Sequence, residues 1–161
     1  MPNIEEKHLK DGKMYSYAGI GSRKTPNHIL SKMTEVSTHL SKRYILRSGG
    51  AEGADQAFER GAKNLNIFRA PDATPDAIEL ASKFHPAWHL CSDYAQKLLG
   101  RNAQIILGPN LDDPVQFVIC YCEDETKGGT SLGIRIARDS DIPVYNFFVQ
   151  RINVLKWIEN Q

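Results

Sequence analysis

Three glycine-rich segments, each following a strand-like run and leading into a helix-like stretch, constrain this chain more than any other feature. They are Gly19-Ile20-Gly21-Ser22-Arg23, Ser48-Gly49-Gly50-Ala51-Glu52-Gly53-Ala54-Asp55 and Gly128-Gly129-Thr130-Ser131. A loop entering a helix carries backbone N–H groups without an intrahelical partner, and the helix dipole there favours negative charge. One such loop is a weak signal. Three on one edge of a parallel sheet would line a crevice for phosphate, at the place where open α/β sheets bind ligands.

The rest of the chain alternates in the same way. Strands are expected at Tyr15–Ile20, Tyr44–Leu46, Asn66–Arg69, Val115–Tyr121 and Pro143–Phe147. The near-continuous apolar run over 115–121 marks a strand buried on both faces. Helical spacing recurs at Ile29, Leu30, Met33, Val36 and Leu40, then over 54–64, 90–106, 131–138 and 152–158. Pro26 suits a first helical position, and Thr74 with Pro75 reads as an N-cap followed by N1. The expectation is one Rossmann-like, doubly wound α/β domain with a mainly parallel sheet over residues 14–161. Residues 1–13 are polar and read as a loosely held lead-in.

Composition narrows the class. At 41% hydrophobic and 24% charged the chain is ordinary for a globular domain, and a net charge of +1 lacks a marked basic excess. A local basic patch is still open through Arg23, Lys24, Lys42, Arg43 and Arg47. Cys91, Cys120 and Cys122 form no disulfide framework, and the last two would share one strand face as small buried side chains. No apolar run approaches the ~20 residues of a membrane span, and a cytoplasmic location is expected. His85 and His89 stand four apart, but Pro86 and Trp88 intervene and no third ligand is spaced to join them. No metal or cofactor is expected. Phe84, Trp88, Tyr94 and Tyr121 are candidates to stack on a base, with core packing the default role of each.

The candidate ligand-binding residues follow from the loops. Gly19, Gly21, Ser22 and Arg23 supply backbone, a hydroxyl and a guanidinium fork suited to phosphate, though without the third glycine of a dinucleotide fingerprint. Ser48, Gly49, Gly50 and Ala51 allow close backbone approach. Asp55 can bind a ribose hydroxyl, move a proton or cap its own helix. Gly128, Gly129, Thr130 and Ser131 open the last long helix directly after the buried strand.

The first two segments resemble the paired motifs of the DNA-processing protein A (DprA/Smf) family. Gly128-Gly129-Thr130 with Ile134, Ala137 and Ile142-Pro143-Val144 resembles the last motif of the Lonely Guy phosphoribohydrolases. Both groups belong to the SLOG superfamily of Rossmann-like nucleotide-binding domains, and the resemblance covers about residues 15–148. Arg101-Asn102-Ala103-Gln104 is similar to the segment that carries a phosphate-binding arginine in the Lonely Guy enzymes, which adds Arg101, Asn102 and Gln104 to the candidates. An Arg-Asn-x-Gln-x-x-Leu-Gly segment like this one also occurs in stand-alone phage domains.

Departures from the pattern matter as much. The Lonely Guy motif carries a glutamate for glycosidic cleavage where this chain has Gly133, and Lys127 replaces the proline before the glycines. Glu123, Asp124, Glu125 and Asp55 are the carboxylates left to substitute. The resemblance therefore implies a homodimeric protein that binds a nucleotide or an ADP-ribose-like signal without cleaving it, as a sensor, regulator or sequestering protein. Two alternatives stand beside it: a nucleoside-monophosphate phosphoribohydrolase, and a DprA-like binder of single-stranded DNA.

Overall fold

The computed structural model describes residues 14–161; the lead-in expected over residues 1–13 lies outside the described residues. Five parallel strands form one sheet in the order β3-β2-β1-β4-β5, with β1 Tyr15–Gly21, β2 Tyr44–Ser48, β3 Leu65–Ile67, β4 Val118–Tyr121 and β5 Val144–Asn146. The helices are α1 Asn27–Leu40, α2 Ala54–Gly61, α3 Pro75–Ser82, α4 Asp93–Leu107, α5 Gly128–Asp139 and α6 Val154–Glu159. This is the Rossmann-like α/β fold expected from the alternation. The order of the strands reverses between β1 and β4, so the loops after these two strands diverge to opposite sides and leave a crevice.

Two apolar layers enclose the sheet. On one face Ile20, Val118 and Cys120 meet Leu99, Ala103 and Ile106 of α4 and Leu132 and Ile136 of α5. On the other face Tyr17, Leu46, Ile119 and Tyr121 meet Met33 and Leu40 of α1, Phe58 of α2 and Ile158 of α6. The apolar stripe read on α1 is the face that packs, except that Leu30 is only half-buried. Cys120 and Cys122 are both buried, as small hydrophobes at the end of β4.

Several boundaries differ from expectation for local reasons. The helix at the third glycine segment begins at Gly128, not at residue 131, because Gly128 adopts φ +89° and turns the chain straight into the helix. The glycine pair is therefore the first turn of α5 itself. Helix α2 stops at Gly61, whose missing side chain lets it press on Thr34 and Ser37 of α1. Pro26 stands just before α1, one place earlier than N1. Helix α4 starts at Asp93 because Ser92 Oγ accepts from the Ala95 N–H. Upstream of β4, the Val115 N–H turns to Ile106 O, so the ladder with β5 begins only at Val118. Strand β3 lies at the sheet edge and its three residues are exposed.

Thr74 caps α3 as expected, its Oγ1 accepting from Ala77 N at 3.2 Å. Thr74→Ala is expected to lower stability by about 1 kcal/mol, read from urea unfolding, since a lost N-cap leaves that N–H without its acceptor. No helix among the described residues is long and apolar enough to cross a membrane.

Candidate functional site

A cleft of about 580 Å³ opens at the carboxyl ends of β1 and β4, between the three glycine segments and α4. Of the candidate residues, Gly21, Ser22, Arg23, Ala51, Asp55, Arg101, Asn102, Gly128, Gly129 and Thr130 line it. The three segments therefore converge on one crevice. Lys24 and Lys127 line it as well, and both are exposed. Ser22 Oγ accepts from Lys24 N at 3.0 Å, which leaves its own proton to donate.

Other candidates lie behind the cleft. Gly19 faces the core, where a Cβ would come within 2.6 Å of Phe58, so its role is to let α2 sit close on the sheet. Ser48 and Ser131 are fully buried. Ser131 Oγ donates to Gly128 O and accepts from Arg135, bracing the first turn of α5. Gln104 is turned toward Pro109, donating to its carbonyl at 3.0 Å. Gly49 and Gly50 do not line the cleft, but a Cβ on Gly49 would meet the Arg101 guanidinium at 2.6 Å.

Arg101 and Asn102 explain how the walls are held. Arg101 is 8% exposed, and its Nη1 donates to Gly49 O at 2.8 Å and Phe68 O at 2.9 Å. Asn102 Nδ2 donates to Gly129 O at 3.3 Å. Neighbouring residues of one helix thus fasten the second and third loops. Arg101 is placed to position the cleft wall, because carbonyl groups of the protein already occupy one end of its fork.

Asp55 is the buried carboxyl of the site. Its Oδ2 accepts from Ala51 N at 3.2 Å. Burial pushes its pKa up from 3.8 to about 6, against the pull of the Ala51 N–H and the Arg101 charge, while Glu59 adds to the rise. The acids expected as substitutes for a missing glutamate are placed differently. Asp124 lines the cleft but is fully exposed, and hydrogen bonds from Thr126 hold its carboxyl low. Glu125 is turned away onto Arg138 and Asn146, and Glu123 accepts from the Tyr121 hydroxyl at 2.7 Å. Gly133 lines the cleft with no carboxyl to offer.

The basic residues of the first third do not form one patch. Arg47 is 3% exposed and bound to Asp113 through its carbonyl at 2.7 Å and its carboxylate at 3.0 Å. Lys42 and Arg43 precede β2, at the opposite end of the sheet. Only Arg23 and Lys24 reach the cleft, joined by Lys127. Among the candidate stacking aromatics, Tyr121 is buried and Phe84 and Trp88 pack on the core, while Tyr94 is 62% exposed. His85 accepts at Nδ1 from Ala87 N, and no metal-binding cluster occurs among the described residues.

The sequence signal missed Asn146. It is fully buried at the end of β5. Its Oδ1 accepts from Cys122 N and Phe148 N, and its Nδ2 donates to Cys122 O and Glu125. It therefore fixes the segment that carries Cys122 and Asp124 into the cleft wall. A polar residue at a strand end after an apolar run was the only available hint.

No protein-family model matches the chain, and no curated protein does. Solved structures do. DNA processing protein A from Helicobacter pylori, a structure concerned with that protein's single-stranded DNA binding mode, matches with a TM-score of 0.60 at 17% identity. The match covers 92% of this chain and 74% of that one. DprA from Streptococcus pneumoniae matches with a TM-score of 0.56 at 18% identity, over 84% of this chain and 50% of the other. The chain spans only half of the pneumococcal protein's length. At these identities the likeness establishes a shared DprA-like Rossmann fold.

Proposed function

We propose that this chain binds single-stranded nucleic acid, seating a backbone phosphate in the cleft between its three glycine segments. The observation that carries the reading is their convergence: the first turns of α2 and α5, where a helix leaves N–H groups without intrahelical partners, border one crevice that Arg23, Lys24 and Lys127 also line. The fold likeness to the two DprA structures supports it. In this reading the domain is of the SLOG type and works by binding alone.

A second reading is a free nucleotide or ADP-ribose-like ligand. The inner wall favours it, because the buried Asp55 offers a ribose-hydroxyl or base contact that a backbone phosphate does not need. Asp55 is also the carboxyl on which any glycosidic cleavage would rest.

Fluorescence anisotropy with labelled oligothymidine, at stepped salt, separates the two. With about three cationic side chains engaged, the logarithm of affinity is expected to fall against the logarithm of salt with a slope of roughly −2. Tight binding of AMP or ADP-ribose by calorimetry, with no oligonucleotide binding at low salt, would overturn the first reading in favour of the second.

A further inference from the structure

A second cleft, of about 550 Å³, lies on the other face of the sheet between α1 and the segment joining β5 to α6. His28, Lys32 and Glu35 line it from α1, and Gln150 and Arg151 from the opposite side. His28, Lys32 and Arg151 are exposed. Two full positive charges and an imidazole thus stand against one carboxylate. The apolar floor belongs to the core layer that includes Ile29, Val36 and Tyr145, whereas the first cleft rests on Ile20, Leu99 and Ile105 of the other layer.

Segments that leave the carboxyl edge of the sheet line both clefts. On one flank, Ser22, Arg23 and Lys24 line the first cleft and His28 opens the second a few residues later. On the other flank, Cys122 lines the first cleft while its neighbour Tyr121 holds the ring of Phe148 edge-on, with centroids 5.9 Å apart. Phe148 is 45% exposed, and Val149 and Ile152 beside it are exposed too. An exposed aromatic ring, braced from below and flanked by basic clefts, is the arrangement on which unpaired bases stack while phosphates find charge. Two acids stand on this flank: Glu123, engaged by the Tyr121 hydroxyl, and the exposed Asp124, which accepts from Thr126.

We propose that a single strand seated in the first cleft crosses the sheet edge over Phe148 and continues into the second cleft. This rests on the nucleic-acid reading above. The phosphates of the continuing strand meet Lys32 and Arg151, and a base stacks on Phe148. Charge complementarity points to a polyanion as the occupant, because Lys32 and Arg151, with His28 beside them, stand against the single carboxylate of Glu35 in the lining of this cleft.

Anisotropy with oligothymidines of about three and about fifteen nucleotides tests the path, since single-strand sites are sized in this range. The double variant Lys32→Glu, Arg151→Glu is expected to weaken the long oligonucleotide about tenfold or more and leave the short one unchanged. Phe148→Ala is expected to weaken the long one about fivefold or more. Lys127→Glu, in the first cleft, should weaken both. Unchanged long-strand affinity in the second-cleft variants, with Lys127→Glu still weakening both, would overturn the path and leave the first-cleft reading standing. Absence of binding by either oligonucleotide would remove both. A dimer in sedimentation that Phe148→Ala dissociates, with long-strand affinity unaltered, would assign the patch to a second copy and overturn the proposal.

Discussion

Asn146→Ala is expected to lower stability by roughly 3–5 kcal/mol, because it strips partners from two buried backbone groups of Cys122 and a part-buried one of Phe148 at once. The Cys122 N–H loses its acceptor at 3.0 Å, the Cys122 carbonyl its donor at 2.8 Å and the Phe148 N–H its acceptor at 3.1 Å. Each buried group left unpaired costs about 1–3 kcal/mol, and the cavity left by the amide lets only part of that relax. Urea unfolding of the variant against the parent chain measures it. A loss below about 1 kcal/mol would show that water or a shifted loop replaces the amide. Asn146→Asp separates packing from hydrogen bonding. It keeps the size and the accepting oxygen, but it brings a carboxylate against Cys122 O and Glu125, which Asn146 now reaches as a donor.

Asp55→Asn should act in the opposite direction, stabilising the protein at neutral pH by up to about 3 kcal/mol. The folded chain holds this carboxyl near pKa 6 against an ordinary 3.8, so its ionisation is costlier in the native state than in the unfolded one. The native state therefore binds the proton more tightly. Stability contributed by Asp55 is complete below about pH 3.8, falls as pH rises toward 6 and stays low above it. Asn imitates the protonated acid at every pH, so the gain should be absent in acid and grow through that window. Thermal or urea unfolding between pH 4 and pH 8 reads it, and equal stability differences at both ends would refute it. A carboxyl kept where it weakens the fold, in the wall of the cleft, is the pattern expected of a group retained for function.

The fold was legible because its signals are local and repeated. Strand-like runs, helical stripes and the Thr74-Pro75 start each carry their own physics, and the structure places elements at all of them. The cleft was legible in outline, since glycine loops after parallel strands must gather on the carboxyl edge. What the loops do individually was not. Gly19 and Gly21 are two residues apart and identical in sequence terms, yet one packs against Phe58 while the other lines the cleft. Both would carry a Cβ toward α2, Gly19 onto Phe58 and Gly21 onto Ala54, and it is the place of Gly21 at the last position of β1 that brings it to the cleft. Arg47 and Arg23 look alike as charges, but the first is consumed by Asp113 from a distant loop. Asn146 carries no local signature because its partners at residues 122, 125 and 148 are assembled only by the fold.

Two adjacent side chains of α4 reach loops on different sides of the crevice, and this gives the cleft a single mechanical setting. Arg101 fastens the second loop and Asn102 the third, so neither wall can shift alone without breaking a bond to the same helix. The position of α4 is itself set at Gly100, where a Cβ would come within 2.8 Å of the Ile78 side chain on α3. The contact between α3 and α4 is therefore one of those that set the aperture, and Ile78 stands outside the lining of the cleft. Changes in bulk at Ile78 would widen or narrow the mouth as a whole, letting selection retune what the crevice admits while every residue that lines it stays the same.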